Sequence, residues 1–197
     1  MATVAGVAAR TVANGDGLRV RRERTQRVVV TGSESTGKTW LAERLATHFQ
    51  TVWSCEFSRE YAVRKAAPLD ATDVEPIARG QMQAEDAVLR RARGLAILDT
   101  DLVSTVVYAE HYYGRCPQWV EEAARERLAD LYLLCDIDVP WAADAVRDRP
   151  HDRREIQAAF IARLEGYGAA YANVHGIWEE REAAAVAAIE ERMRNEE

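Results

Sequence analysis

The sequence predicts an α/β fold in which a parallel five-stranded sheet lies between helices on both of its faces. Short apolar runs that end in polar residues alternate along the chain with stretches of helical periodicity, as in parallel sheets with helical crossovers. One run leads through a glycine-rich turn straight into a helix, which is typical of a loop that binds phosphate. With 197 residues, the chain has the length of a single full domain.

Each element is predicted from local composition. A flexible tail is expected over residues 1–26, which are rich in Ala, Gly and Arg, and one domain over residues 27–197. Strands are predicted in short segments rich in apolar or β-branched residues, at residues 27–31, 51–55, 95–99, 131–135 and 174–178. Helices are predicted where apolar residues recur every three or four positions, at residues 38–50, 73–93, 102–113, 118–130, 154–167 and 180–194.

Several boundaries rest on specific signals. Thr72 and Glu75 have the spacing of a capping box, and Gly94 is expected to end the helix that follows them. Residues 56–61 are read as a charged loop after the second strand. Cys55 and Cys135 fall in strand-like runs and are expected to be small buried side chains. The strand before the glycine-rich turn is expected in the middle of the sheet.

The glycine-rich turn fits the pattern GxxxxGKT between a strand and a helix, which predicts a P-loop. The glycines allow the backbone to curl, so that its N–H groups and the helix dipole converge on a phosphate. Lys38 supplies a charge for the β- and γ-phosphates, and the Thr39 hydroxyl is placed for Mg²⁺. The residues expected to bind ATP are Gly32, Glu34, Ser35, Thr36, Gly37, Lys38 and Thr39.

Acidic residues follow two of the predicted strands, at the sheet edge where parallel α/β proteins bind ligands. Asp99 ends a run of four apolar residues, which is the Walker B arrangement, and is expected to hold Mg²⁺. Asp101 is a candidate both for capping the next helix and for binding substrate. Glu56 follows the second strand and is expected to accept the proton of an attacking hydroxyl or to bind a sugar hydroxyl.

Basic and aromatic side chains supply the remaining candidates. Arg59 is expected to clamp substrate or phosphate. Four arginines in residues 147–154 predict a lid over the transferring phosphate, with Arg147 and Arg149 favoured as catalytic residues. Aromatic side chains that could face a flat heterocycle, although core packing is the commoner role of each, include Tyr61, Tyr112 and Trp119.

Composition excludes several classes of function. The formal net charge of −6 argues against nucleic-acid binding, which needs a basic surface. No apolar run approaches the length of a membrane span, and three cysteines without a close pair give neither a disulfide framework nor a metal site. We therefore expect a cytoplasmic protein with a small-molecule substrate, and the sequence leaves a homo-oligomer open.

These motifs, taken together, resemble the ribosylnicotinamide kinase domain of the NadR family. The resemblance covers most of the chain after residue 26 and depends on the order of its motifs, because the P-loop alone is common to many ATPases. Besides the P-loop, the similar segments are residues 56–61, 77–81, 99–101, 112–117, 130–134 and 138–141, with Arg147. Phe57 and Ala145 depart from the pattern, which often has Tyr and Gly at these positions.

The resemblance implies ATP- and Mg²⁺-dependent phosphorylation of the 5′-hydroxyl of nicotinamide riboside, giving nicotinamide mononucleotide for NAD salvage. It further implies a P-loop NTPase fold with an arginine-bearing lid. Because Phe57 lacks the hydroxyl of tyrosine, it puts in question a hydrogen bond to the substrate. Ala145 in place of glycine puts in question the hinge of the lid. The chain lacks the HxGH motif of the adenylyltransferase found in bifunctional members, so we expect kinase activity alone.

Two other functions fit the same motifs. The chain could phosphorylate another nucleoside or small molecule, since only the acceptor pocket would differ. It could also be a regulatory ATPase that senses nucleotide without catalysis, although Glu56 and the arginines argue against this. A GTPase is disfavoured because the sequence has no NKxD motif.

Overall fold

Five parallel strands form the sheet at the centre of the molecule. The computed structural model describes residues 24–141 and 152–195. The strands are β1 (Gln26–Thr31), β2 (Val52–Ser54), β3 (Leu95–Asp99), β4 (Leu131–Cys135) and β5 (Tyr171–Val174). Their order across the sheet is β2-β3-β1-β4-β5, so the prediction that the strand before the P-loop lies in the middle is confirmed.

Helices cover both faces of this sheet, as predicted. In the described residues they are α1 (Lys38–His48), α2 (Phe57–Lys65), α3 (Val74–Leu89), α4 (Leu102–Tyr113), α5 (Gln118–Glu126), α6 (Arg153–Tyr167) and α7 (Trp178–Arg194). On one face, Leu41 of α1 and Ile189 of α7 pack in a core with Val28 and Val30. On the other face, α3, α4, α5 and α6 pack around Val29. The fold is the three-layer α/β arrangement of P-loop proteins.

The register of the central strands brings the P-loop and Asp99 together. Val30 in β1 lies opposite both Asp99 in β3 and Leu133 in β4. The N–H of Thr100 donates to the Val30 carbonyl at 3.0 Å, which extends the pairing by one residue. Since parallel strands end at the same edge, the loops after β1, β2 and β3 open to one side of the sheet.

The segment after β2 corrects one prediction, because residues 57–65 form the helix α2 where the sequence suggested a charged loop. None of the residues of α2 is buried, so the helix carries no apolar stripe that a periodicity analysis could detect. The side chain of Phe57 fixes its start by packing against α3. Glu56 therefore precedes a helix, at its N-cap position.

The last strand was predicted at the wrong place. β5 covers residues 171–174, whereas the sequence suggested 174–178, and Trp178 begins α7. β5 is an edge strand paired only with β4, and only Val174 of its residues is buried. The apolar residues that suggested a strand, Ile177 and Trp178, are exposed in the connection to α7.

Three smaller predictions are also corrected. The capping box before α3 is formed by Asp70 and Asp73 across a short 3₁₀ turn, and not by the predicted pair of Thr72 and Glu75. α3 and α5 end four residues earlier than predicted, at Leu89 and Glu126. Cys135 is buried as expected, but Cys55 is exposed because β2 is a short edge strand that ends before it.

Some predictions fall on residues outside the described part of the chain. These are Arg147, Arg149 and Ala145 of the predicted lid, together with most of the predicted tail. At the end of that tail, Arg24 pairs with Asp130 at 2.6 Å and Gln26 begins β1. None of the helices in residues 24–141 and 152–195 combines the length and apolarity needed to cross a membrane.

Candidate active site

The loop between β1 and α1 requires glycine at both of its fixed positions. Gly32 has a φ of 126°, and a Cβ atom there would lie 2.7 Å from the Cys135 carbonyl oxygen. Gly37 has a φ of 77° at the N-cap of α1. Both values belong to backbone that other residues rarely adopt. The loop thus bends tightly against β4 and directs the N-terminus of α1 toward its own concave side.

Three side chains from distant parts of the sequence hold the loop. Gln157 of α6 accepts from the Ser33 N–H at 3.2 Å and donates to the Cys135 carbonyl at 3.1 Å. Arg181 of α7, which is fully buried, donates to the Thr36 carbonyl at 2.6 Å. Arg153 donates to the Ser35 carbonyl at 3.3 Å. These bonds engage one N–H group and two carbonyls of the loop and stabilise its curled shape.

Lys38 lies over the loop with its side chain buried at 7% exposure. Its Nζ donates to the Ser33 carbonyl at 2.9 Å, and the Thr36 hydroxyl donates to the same oxygen at 2.8 Å. An ammonium group in this position is a point charge at the concave side of the loop, where phosphate oxygens would lie.

Thr39 and Asp99 form a pair beneath the loop. The Thr39 hydroxyl donates to Asp99 Oδ2 at 2.6 Å, and Asp99 Oδ1 is buried without a hydrogen-bond partner among the described residues. A buried carboxylate oxygen without a donor is costly unless a cation or a ligand satisfies it. A hydroxyl beside a carboxylate is a ligand set that suits Mg²⁺, so these two residues fit the ion that the sequence predicted there.

The pKa of the Asp99 carboxyl is raised to about 6, chiefly by burial and secondly by the nearby charge of Glu56. The Thr39 hydrogen bond and the Lys38 charge act in the opposite direction. Removal of a carboxylate from water beside another acid is a common feature of sites that bind a cation.

A cavity of about 800 Å³ opens directly beside the loop. It lies between α2 with its following segment, α3 and α4, and it has the size of a site for a small molecule. Lys38 and Thr100 line the end nearest the P-loop, while apolar side chains such as Val63, Leu69 and Ile77 line the far end. A ligand there would have one end against the phosphate loop.

Glu56 and Arg59 face this cavity from the start of α2. The Glu56 carboxylate accepts from the Ser58 hydroxyl at 2.8 Å and lies 3.7 Å from the Arg59 guanidinium. Its side chain remains 20% exposed, in contrast to the fully buried Asp99. Glu56 is therefore accessible to a ligand in the cavity, whereas Asp99 lies beneath the loop.

The opposite wall of the cavity is aromatic. Tyr108 and Tyr112 of α4 stack with their ring centroids 5.9 Å apart, and both line the cavity. The Tyr112 hydroxyl donates to Glu34 Oε1 at 2.9 Å, so this P-loop residue faces the cavity as well. Glu34 was predicted to bind ATP, but its position also suits contact with a ligand in the cavity.

The structure does not bring all of the predicted substrate-binding residues to the cavity. Asp101 lines it, but one carboxylate oxygen caps α4 by accepting from the Val103 N–H and the other accepts from the Tyr132 hydroxyl. Tyr61 and Trp119 are absent from the described lining. The Tyr61 hydroxyl donates to Asp73, and the Trp119 ring lies 4.4 Å from the Arg79 guanidinium.

Three residues of the site were not predicted as functional: Gln81, Gln157 and Arg181. The aromatic spacing of α4 did suggest Tyr108, which lies one turn before Tyr112. Gln81 and Gln157 are buried, and a buried glutamine on an apolar helix face was the available signal. No local pattern distinguishes Arg181 from the other charged residues of α7.

Comparison with known proteins places the fold and the P-loop in one family. A family model described as an AAA domain matches residues 27–181. The chain belongs to this family. The match begins at β1 and ends at Arg181, so it includes the phosphate loop, both acids and the buried arginine that holds the loop.

The curated relatives include two proteins called trifunctional NAD biosynthesis/regulator protein NadR. The chain is 33% identical over 144 residues to the one from Escherichia coli and 31% identical over 144 residues to the one from Salmonella typhimurium. Each match covers 70% of this chain and 35% of the relative, so the chain spans about a third of the length of these proteins.

Solved structures also show similarity to NadR proteins. A NadR protein in complex with NR matches with a TM-score of 0.71 and 26% identity, over 87% of this chain and half of that one. A NadR protein in complex with NAD and AMP-PNP matches equally well. A thymidylate kinase from Ehrlichia chaffeensis matches with a TM-score of 0.61 at 11% identity, which shows a shared fold. The resemblance to NadR that the sequence motifs suggested is thus confirmed. The chain is a nucleotide-binding P-loop protein with the fold of these NadR structures.

Proposed function

We propose that the chain transfers the γ-phosphoryl group of ATP to the 5′-hydroxyl of nicotinamide riboside, giving nicotinamide mononucleotide and ADP. The observation that carries this proposal is the cavity beside the P-loop, which Lys38, Glu56 and Tyr112 all line. A protein that only binds and senses nucleotide has no need for a second cavity whose inner end reaches the phosphate-binding lysine. The NadR protein whose structure contains NR shares this fold over 87% of the chain.

The size and lining of the cavity suit a nucleoside. Its volume of about 800 Å³ has room for a sugar and one flat ring. The stacked Tyr108 and Tyr112 offer a π face to a heterocycle, and the negative face of such rings attracts the cationic pyridinium of nicotinamide riboside. Glu56 and Arg59 offer hydrogen bonds to the ribose at the inner end.

The transfer requires the acceptor oxygen to approach the γ-phosphorus in line with the leaving group. The new bond forms between the 5′-oxygen and the γ-phosphorus, and the bond from this phosphorus to the β–γ bridging oxygen breaks, releasing ADP. Glu56 takes the proton of the hydroxyl. Lys38 and the N-terminus of α1 stabilise the negative charge on the phosphate oxygens.

Thr39 and Asp99 would hold Mg²⁺ with the nucleotide. When bound, the ion neutralises part of the charge on the phosphates and fixes their orientation. The remaining contributions belong to the chain itself, because the P-loop orients the donor and the cavity orients the acceptor. Bringing the two reacting groups together in one geometry is a large part of catalysis in phosphoryl transfer.

An acceptor screen tests the proposal. The purified protein is incubated with ATP, Mg²⁺ and a panel of nucleosides that includes nicotinamide riboside, and ADP release and product mass are measured. We expect nicotinamide riboside to gain one phosphate with the highest kcat/KM of the panel. A higher kcat/KM for another nucleoside would contradict the proposed acceptor, and ATP binding without any phosphorylated product would contradict the kinase activity.

Lys38→Ala is the variant that tests the role of the loop. We expect the kcat of the variant to fall by roughly 10²-fold or more, because the charge on the transferring phosphate loses its counter-charge. Arg44→Ala on the exposed face of α1 is a matched control, since its side chain is 52% exposed and pairs with Glu182 away from the loop. Near-normal turnover of Lys38→Ala would show that the mechanism is wrong.

A further inference from the structure

Gln81 is a buried polar residue in the middle of α3, with 2% of its surface exposed. It lines the inner end of the cavity, but the proposed reaction gives its side chain no task. A primary amide in such a position must have partners for both its oxygen and its nitrogen, since an unsatisfied buried amide is destabilising.

The two ends of this amide bind different loops of the site. Oε1 accepts from the Phe57 N–H at 3.2 Å, and Nε2 donates to the Thr100 carbonyl at 3.1 Å. Nε2 also approaches the buried carboxylate of Glu85 at 3.4 Å, one turn further along α3. Phe57 directly follows Glu56, and Thr100 directly follows Asp99. One side chain thus connects the backbone next to both candidate catalytic acids.

α2 depends on this connection more than an ordinary helix would. The first N–H groups of a helix have no partner within it, and Glu56 at the N-cap gives α2 no side-chain cap. Gln81 supplies an acceptor to the first of these groups. Since no residue of α2 is buried, packing alone holds the helix weakly. The position of the Glu56 carboxylate therefore depends on a contact made by α3.

We propose that Gln81 is a positioning residue that fixes the Glu56 carboxylate relative to Asp99 and the P-loop. The proposal rests on the proposed phosphoryl transfer, in which Glu56 accepts the proton of the acceptor hydroxyl. Glutamine has the required chemistry and length without taking up a proton, because the contact needs one acceptor and one donor at the end of the same side chain. Gln81 itself does not touch the reacting atoms and acts through Glu56.

Two substitutions separate the two hydrogen bonds of the Gln81 amide, the one from the Phe57 N–H and the one to the Thr100 carbonyl. Gln81→Met keeps the length of the side chain and removes both hydrogen bonds. Gln81→Glu keeps an acceptor for the Phe57 N–H but removes the donor to Thr100. Gln83→Met is the matched control, because Gln83 is exposed on the same helix, two residues away. Kinetics with nicotinamide riboside are measured below the melting temperatures of all the variants.

The expected result is a loss specific to the acceptor. For Gln81→Met we expect kcat to fall by about tenfold or more, while the KM for ATP stays within about twofold, since the contact does not involve the P-loop. Gln81→Glu is expected to lie between Gln81→Met and the wild type. By NMR, exchange of the Phe57 amide hydrogen should become about tenfold faster in Gln81→Met and stay slow in Gln83→Met.

The outcomes distinguish this proposal from the proposed function. If the wild type phosphorylates no nucleoside, both proposals are wrong. If the wild type is active and both Gln81 variants keep its kcat and acceptor KM, the kinase stands and the positioning role is wrong. Equal rises in the KM for ATP and in the KM for the acceptor would likewise contradict it, because they would indicate a general loss of structure.

Discussion

At the scale of single residues, two acids at the same edge of the sheet have different surroundings. Asp99 is fully buried and accepts a hydrogen bond from Thr39 beneath the P-loop. Glu56 is partly exposed in the cavity and accepts from Ser58. β2 and β3, which precede Glu56 and contain Asp99, are neighbours in the sheet, so the two acids lie close together. The surroundings of Asp99 suit binding of a cation, and those of Glu56 suit acceptance of a proton.

These surroundings predict different effects of neutralising each acid. We expect Asp99→Asn to raise the Mg²⁺ concentration needed for half-maximal activity and to lower turnover, with less effect on nucleoside affinity. Glu56→Gln should lower kcat by roughly 10²-fold, or less if the transition state is loose, while ATP still binds. Mg²⁺ titrations and nucleoside saturation curves of both variants provide the measurement.

Glu60→Gln is the control for this pair, because Glu60 lies on α2 with 66% of its side chain exposed. It should leave both curves unchanged. If Asp99→Asn and Glu56→Gln change the same parameters by the same factors, or if Glu56→Gln is silent, the two acids do not have separate roles.

The sequence revealed those functional residues that belong to a short, recognisable sequence pattern. Lys38 and Thr39 belong to a motif of eight residues, and Asp99 is marked by the apolar run before it. Gln157 and Arg181 bind the P-loop from 124 and 145 residues away, so no spacing within a motif could reveal them. Tyr61 and Trp119 were predicted to bind substrate but do not line the cavity. An aromatic residue has the same local pattern whether it faces a ligand or a neighbouring helix.

At the scale of elements, a close approach to α3 helps to position the start of α2, together with the Gln81 hydrogen bond. The ring of Phe57 lies so close to Gly80 that a Cβ atom on Gly80 would be 2.0 Å from it. Gly80 lies inside α3, where glycine is ordinarily unfavourable to the helix by about 1 kcal/mol relative to alanine. The absence of a side chain at Gly80 is thus what allows the start of α2 to lie against α3.

Gly80→Ala is therefore expected to displace Phe57 and the adjacent Glu56. We expect activity toward the acceptor to fall by roughly tenfold or more and unfolding to become easier by about 1–3 kcal/mol, as in other overpacked sites. Steady-state kinetics and denaturant unfolding provide the measurements. Nucleotide affinity should change little, because Gly80 and Phe57 belong to α3 and α2 and not to the loop between β1 and α1.

Gly166→Ala in α6 is the matched control, because nothing lies within 4 Å of a Cβ atom at that position. This substitution should leave activity unchanged and stabilise the protein slightly. Combining Gly80→Ala with Phe57→Ala removes the clashing ring and should recover part of the lost activity. Gly80→Ala with wild-type kinetics would mean that the contact with Phe57 does not position α2.

Elements with buried faces were predicted well, and elements without them were not. The bounds of α4 and β4 agree with the sequence prediction because β4 is buried throughout and α4 has a buried face. α2 was missed, and β5 was shifted by three residues, since neither has a continuous buried face. Patterns of hydrophobic residues report burial, so they cannot report elements held by one edge or one contact.

At the scale of the whole molecule, a buried charge joins the sheet to two helices. Glu85 of α3 has no exposed surface and lies 3.2 Å from Arg127 after α5 and 3.6 Å from Arg27 of β1. Burial raises its pKa to about 7, with a further contribution from Asp101, while the two arginines act in the opposite direction. Its usual pKa is near 4.5.

This shift predicts how stability depends on pH. Between pH 4.5 and about 7 the folded protein holds a proton on Glu85 that the unfolded chain releases, so the free energy of unfolding falls as pH rises. In Glu85→Gln this contribution is absent. We expect the stability of the variant relative to the wild type to increase on the order of 3 kcal/mol over that range.

Denaturant unfolding of both proteins at a series of pH values gives this difference. Glu75→Gln, at an exposed position of the same helix, should run parallel to the wild type at every pH. A constant difference between Glu85→Gln and the wild type would show that Glu85 remains charged in the folded protein throughout the range.

The buried Arg181 has a consequence for the order in which the site is made. The ribosome releases β1 and the P-loop early, but the bond to the Thr36 carbonyl comes from a residue 145 positions later. The same guanidinium also donates to the carbonyls of Gly176 and Asp136. Arg181 thus connects segments that the ribosome synthesises at different times. A nascent chain therefore carries the whole GxxxxGKT motif long before the phosphate cradle is held in shape. We therefore expect nucleotide affinity to develop only once synthesis has passed Arg181 and its guanidinium can reach the Thr36 carbonyl.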